Sequence, residues 1–171
     1  MQTLQKITTE FIESEDRFRL SAESEDGASL QFWLTQRLLV RLISHCINWL
    51  EKTSTPISKV AADVKNRSDV QNFVQRSAQT SLASVKAVCA DKNTPGFLIE
   101  RIDIKLGDKN IAIIFNENGA NYVLNLTDQH LRQWLSILFT LWQGAEWPSS
   151  VWPTWMTETN DEISSGTSPI H

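Results

Sequence analysis

Apolar and polar residues alternate over Arg17–Ser24, where Phe18, Leu20 and Ala22 share one face and Arg17, Arg19 and Ser21 the other. A period of two is the signature of a half-buried strand. Before it, Lys6–Ser14 reads as a strand anchored by Ile7, Phe11 and Ile12, with a turn at Glu15-Asp16. Glu25-Asp26-Gly27 follows, and Asp-Gly supplies the positive φ that a tight hairpin turn requires. Ala28–Leu34 alternates again, with Ala28, Leu30, Phe32 and Leu34 on one side. Thr35 can cap a helix, because its hydroxyl accepts an orphan backbone N–H. That helix runs to about Glu51, with an apolar stripe of Leu38, Leu39, Leu42, Ile43, Cys46, Trp49 and Leu50 at helical spacing.

Lys52–Asn66, with Pro56 and several Ser and Thr residues, reads as a connector. A weaker helical pattern runs from Ser68-Asp69 to about Asp91 and is interrupted by the small polar run Ser77–Ser81. Asn93-Thr94-Pro95-Gly96 is a break. Phe97–Leu106 and the strongly apolar Lys109–Asn116 read as strands, and Asn118-Gly119 is a second hairpin signal. Ala120–Leu126 alternates, and Thr127 caps a third helix extending to about Gln143. Asp128 adds a favourable charge to its first turn. Leu131, Trp134, Leu135, Leu138, Phe139, Leu141 and Trp142 form its stripe.

The halves match at an offset of 92 residues: Gly27 with Gly119, Ala28 with Ala120, Leu34 with Leu126, Thr35 with Thr127, Leu39 with Leu131. Leu42/Trp134, Ile43/Leu135, Cys46/Leu138 and Leu50/Trp142 preserve the apolar stripe. Before the turn, Ile7/Ile99, Asp16/Asp108 and Glu25/Glu117 also fall in register, although the middle strands are one residue out of phase and demand a bulge or slip. The expectation is an α+β fold of two βββα units, an internal duplication forming antiparallel sheet or sheets covered by helices, with an extra helix between the units. In domain terms, residues 1–156 form one domain: a first half over 1–52, a linker and helix over 53–92, a second half over 93–145 and a Trp/Pro segment over 146–156. Residues 157–171, rich in Ser, Thr and acids, are expected to be a disordered tail.

The 171 residues are enough for one core without disulfides or metal. A hydrophobic content of 41% excludes a disordered chain, and no apolar run reaches the ~20 residues that span a bilayer. The first residues contain no apolar signal segment, and Cys46 and Cys89 form no framework pattern, so a cytoplasmic protein with reduced thiols is expected. A net charge of −4 argues against a dedicated duplex-DNA binder. No metal-binding motif, phosphate-cradling glycine loop or nucleophile elbow is present, so no catalytic residue, cofactor or metal is assigned. His45 and Cys46 are adjacent on one helix and point about 100° apart, which prevents a catalytic pair between them.

Two surfaces remain as candidates. Trp147, Trp152, Trp155 and Met156, spaced by Pro148 and Pro153, form an aromatic cluster suited either to capping the core or to anchoring a partner. Arg17, Arg19, Arg101 and Lys105 with Trp33 and Phe97 would make a single-stranded nucleic-acid face, with bases stacked on the aromatics. The reading that follows is a non-enzymatic protein acting through protein contacts, as an adaptor, accessory subunit or homodimer. The alternatives are a single-strand binder and an enzyme without a recognised motif. If the Trp cluster folds back, truncation after Gly144 lowers stability by several kcal/mol in denaturant titration, and an unchanged midpoint would mark the segment as dispensable for folding.

Overall fold

A computed structural model describes residues 1–53, 64–81, 87–89 and 93–158, with side chains described from Arg67 onward in the second of these stretches. Its strands are β1 (Gln2–Ile12), β2 (Arg17–Ser24), β3 (Ser29–Leu34), β4 (Gly96–Leu98), β5 (Arg101–Leu106), β6 (Asn110–Glu117) and β7 (Ala120–Thr127). Its helices are α1 (Gln36–Thr53), α2 (Val64–Thr80) and α3 (Asp128–Gly144), with a further helical turn over 154–158. The class is α+β, as the alternation and the helical stripes predict.

Both caps form as expected. Thr35 Oγ1 accepts from the Leu38 N–H at 3.4 Å, and Thr127 Oγ1 accepts from the His130 N–H at 3.3 Å. Gly27 and Gly119 both take φ +81, and Asn118 joins the second turn at φ +45. The hairpins differ in length. Ser24 and Ala28 close a three-residue loop, whereas Glu117 and Ala120 face each other across Asn118-Gly119. The middle strands are therefore one residue out of phase because one turn is longer.

The expectation of a purely antiparallel sheet is corrected. All seven strands form one mixed sheet in the order β4-β3-β2-β1-β7-β6-β5. β1 pairs in parallel with β7 over Gln2–Leu4, and β3 pairs in parallel with β4 over Gln31–Trp33. Alternation specifies which face is buried; it does not specify which strand lies alongside. The two ends of the strand order are successive pieces of one stretch of chain. The Ile99 N–H donates to the Trp33 carbonyl and the Glu100 N–H to the Asn116 carbonyl, each at 3.1 Å. This stretch first extends β3, then kinks and extends β6, so the sheet curls back on itself. A register shift between Leu4 and Lys6 kinks β1 as well.

Curling brings the two meanders face to face. The Phe32 ring lies 5.8 Å from Phe115 and 4.8 Å from Tyr122. α1 buries Leu39, Leu42, Ile43, Cys46, Ile47, Trp49 and Leu50, and α3 buries Leu131, Trp134, Leu135, Leu138, Phe139 and Trp142 in the same core. The helices pack across the two halves: α3 lies against β1 as well as β7, and α1 lies against β5.

α2 departs from the predicted bounds. It begins inside the expected connector and ends at Thr80, and residues 87–89 are not helical. At its end the Thr80 and Ser81 hydroxyls donate to the Ser77 and Ala78 carbonyls, at 3.0 and 2.8 Å, which offers the backbone an alternative to another helical turn. The rest of the predicted helix lies outside the described residues.

The Trp/Pro segment folds back. Trp147 packs on Phe18 at 5.1 Å and edge-on to Trp142 at 4.8 Å, and Trp152 packs edge-on to Phe139 at 5.1 Å. Trp147 Nε1 donates to Asp16 Oδ1 at 2.9 Å, and Trp155 Nε1 to Glu51 Oε1 at 3.0 Å. Thr157 and Glu158 belong to the last helical turn, and the remainder of the expected tail lies outside the described residues. Trp147→Ala should cost about 3–5 kcal/mol in urea denaturation. Trp147→Phe should cost about 1–3 kcal/mol more than Trp152→Phe, because the Trp152 N–H has no partner among the described residues. Equal losses would show that the Asp16 bond contributes nothing.

Candidate functional site

β5 and α1 enclose a cleft of about 310 Å³. Its helical wall is Leu38, Arg41, Leu42 and His45, one face at three- and four-residue spacing. Its other wall is the unbroken run Glu100–Ile104. Leu38, Leu42, Ile102 and Ile104 make an apolar floor that continues into the core. Arg101 and Asp103 form an ion pair at 3.1 Å, and Asn116 Nδ2 donates to the same Asp103 oxygen at 3.1 Å. His45 donates from Nδ1 to the Arg41 carbonyl at 2.7 Å, leaving Nε2 directed away from the helix backbone. The side chains of Arg41 and Glu100 have no hydrogen bond or ion pair among the described residues.

A second feature is the polar seam between α2 and α3. Arg132, fully buried, donates to Asp128 Oδ1 at 2.8 Å and to Gln71 Oε1 at 2.7 Å, and its guanidinium stands over Trp155 at 5.7 Å. Gln75 Nε2 donates to the Arg132 carbonyl at 3.0 Å, and Gln133 Nε2 to the Ala78 carbonyl at 3.0 Å. Burial pushes the Arg132 pKa down, and the Asp128 carboxylate opposes that. These bonds tie α2 to α3. Sequence reading treats Arg132 as a polar interruption of an apolar stripe. The signal for its burial is Gln71, Gln75 and Ala78, spaced as a helical face on α2.

The opposite face of α2 exposes two apolar side chains among polar ones such as Asp69, Ser77 and Thr80. Phe73 is 74% exposed and Val70, one turn earlier, is 38% exposed.

The structure separates the residues of the two predicted surfaces. Trp147, Trp152, Trp155 and Met156 come together, but as buried members of the core. The predicted nucleic-acid set is split. Phe97 faces inward, its ring 6.3 Å from Phe32 and 6.2 Å from Tyr122. Arg19 is bound to Glu10 at 2.9 Å and lies over the Trp33 ring at 5.9 Å. Trp33 itself is only partly exposed and crowds Gly96 on β4, where an added Cβ would stand 2.6 Å from Nε1. Arg101 is paired with Asp103, Lys105 is exposed on β5, and Arg17 lies on β2.

Among the described residues no three His, Cys, Asp or Glu side chains gather where they could hold a metal, and no helix is long and apolar enough to cross a membrane. Asp26, in the first hairpin, is held below the usual carboxylate range by the Ser24 hydroxyl and then the Ala28 amide. Both cysteines are free thiols, Cys46 buried and Cys89 exposed.

Burial pushes the Cys46 thiol up to about 12. Above a pH of about 9 the unfolded thiol ionises while the folded one does not, so the folded state binds more protons. This group therefore lowers stability as pH rises from about 9 to 12, by up to about 1.4 kcal/mol per pH unit. A maleimide pulse at neutral pH should label Cys89 in the native protein and Cys46 only after denaturant is added, read by mass spectrometry. Native labelling of Cys46 would show that α1 opens readily.

No family model matches the chain, and comparison with curated proteins and with solved structures also returns no match.

Proposed function

We propose that this is a non-enzymatic protein that works through contacts with another protein or with a second copy of itself. The observation that carries the reading is the exposed face of α2, where a Phe at 74% exposure stands beside Val70 while the opposite face is anchored to α3 by Gln71 and Gln75. A helix so anchored presents its apolar side chains on a rigid support, and an exposed aromatic of this kind is a common interface anchor. The contact surface thereby moves from the Trp/Pro segment, whose side chains are core, to α2. Two free thiols favour a reducing, cytoplasmic setting. The single-strand alternative is left with Trp33 alone for stacking, since Phe97 is turned inward.

We also infer that the chain arose by duplication. Pairing supports this beyond the sequence match. Leu20 lies opposite Phe32 as Ile113 lies opposite Leu124, and Ile7 lies opposite Ala22 as Ile102 lies opposite Phe115. In each half the core contacts of the first strand skip two residues at the kink, from Leu4 to Ile7 and from Ile99 to Ile102, so the counterpart of Ile7 is Ile102 and the expected Ile7/Ile99 match is corrected. Before the kink each first strand runs parallel to the third strand of the other half.

Light scattering on the full chain should give a mass above the monomer, or pull-down should enrich one protein stoichiometrically. Phe73→Ser should abolish either result while leaving the melting temperature unchanged, because an exposed substitution is worth within about 0.5 kcal/mol. A monomer with no enriched partner, or an association indifferent to Phe73→Ser, would count against this surface.

A further inference from the structure

We infer that the cleft between α1 and β5 takes an extended peptide, added as a strand to the open edge of β5, with an apolar side chain on Leu42 and an acidic one at Arg41. The inference names the chemistry of a partner and rests on the contact reading above. Five consecutive residues of one chain stretch, Glu100–Ile104, line the cleft. Successive strand side chains point to opposite faces, so an unbroken run can line a groove only along the strand's edge. Among the described residues the edge is open, because β5 is the last strand and pairs only with β6. The Gly107 N–H donates to the Asn110 carbonyl at 2.9 Å. Antiparallel alternation then places Arg101, Asp103 and Lys105 in hydrogen-bonded pairs with β6 and turns the N–H and C=O of Ile102 and Ile104 toward the open side. Those groups and the facing helix reproduce the arrangement in which an extended peptide completes a sheet edge.

The other half of the molecule explains why the space exists. The residue that corresponds to Leu42 is Trp134, whose indole is buried and donates to Thr9 Oγ1 on β1 at 3.0 Å. The large ring fills the region between α3 and β1, whereas Leu42 leaves the region between α1 and β5 open. The charges narrow the partner. Arg101 and Asp103 neutralise each other, while Arg41 stands on the helical wall without an ion pair among the described residues and calls for a carboxylate. Glu100, on the strand wall, disfavours a second acid there.

A display library of random short peptides, selected on the full-length chain, tests this. The enriched peptides should share an apolar residue close to an acidic one. In fluorescence anisotropy they should lose about tenfold or more in affinity with Leu42→Trp, which fills the cleft as Trp134 fills its counterpart. Arg41→Glu, an exposed change that spares the fold, should weaken acidic peptides about tenfold as well. N-methylation of the peptide backbone should abolish binding at alternate positions and leave it intact at those between. Failure to enrich any peptide would overturn the inference, as would affinities indifferent to backbone methylation. Peptides that bind Leu42→Trp and Arg41→Glu as tightly as the parent would also overturn it. In that last case the contact reading would stand, carried by the α2 surface at Phe73 alone.

Discussion

The rest of the structure depends on one stretch of backbone, residues 96–106, bonding first to β3 and then to β6. Without its bonds to β3 the two meanders would be joined only by the parallel pairing of β1 with β7 over Gln2–Leu4. With them the sheet curls until Phe32 meets Phe115 and Tyr122, and two shallow apolar faces become one core. The kink at Ile99-Glu100 makes this geometry accessible, because a straight strand could not leave one neighbour for another within two residues. β1 does the same at its own start, bonding to β7 over three residues before settling against β2.

Closure leaves gaps where the first strands diverge from their parallel neighbours, and the helices fill them unequally. On the α3 side the job falls to Trp134; on the α1 side Leu42 is too small to do it. The ends of the helices are sealed by the Trp/Pro segment, whose rings extend a continuous aromatic cluster from Phe11 and Phe18 through Trp142 to Trp152. Pro148 contributes a carbonyl that accepts from Trp142 Nε1, tying the segment's path to the helix it covers. Packing of this kind excludes water from the core and takes those aromatics out of reach of a partner.

α2 is held differently. Its packed face is polar, and Arg132 is buried beneath it with Asp128, Gln71 and Trp155 around its guanidinium. A buried charge with satisfied donors fixes one arrangement of the two helices, since any displacement would strand it. Phe73 is exposed on the side of α2 turned away from this contact.

Much of this was legible in the chain itself. Alternation and apolar runs placed six strands, one of which, Phe97–Leu106, divides into β4 and β5; Gly27 and Gly119 placed the hairpins, and Thr35 and Thr127 the starts of α1 and α3, because each of these signals acts within a few residues. The one-residue difference in phase between the middle strands was also visible, and the longer first turn accounts for it. What only the tertiary structure decided was which strands lie side by side, where Phe97 points, and whether the last tryptophans face the core. Period and propensity say that a side chain is apolar and on which face it stands; they carry no information about the distant surface that will cover it. The same limit hid the α1–β5 cleft. A cleft is the absence of a covering group, and Leu42 reads as an ordinary core leucine until the fold sets it across from the place where Trp134 stands in the other half.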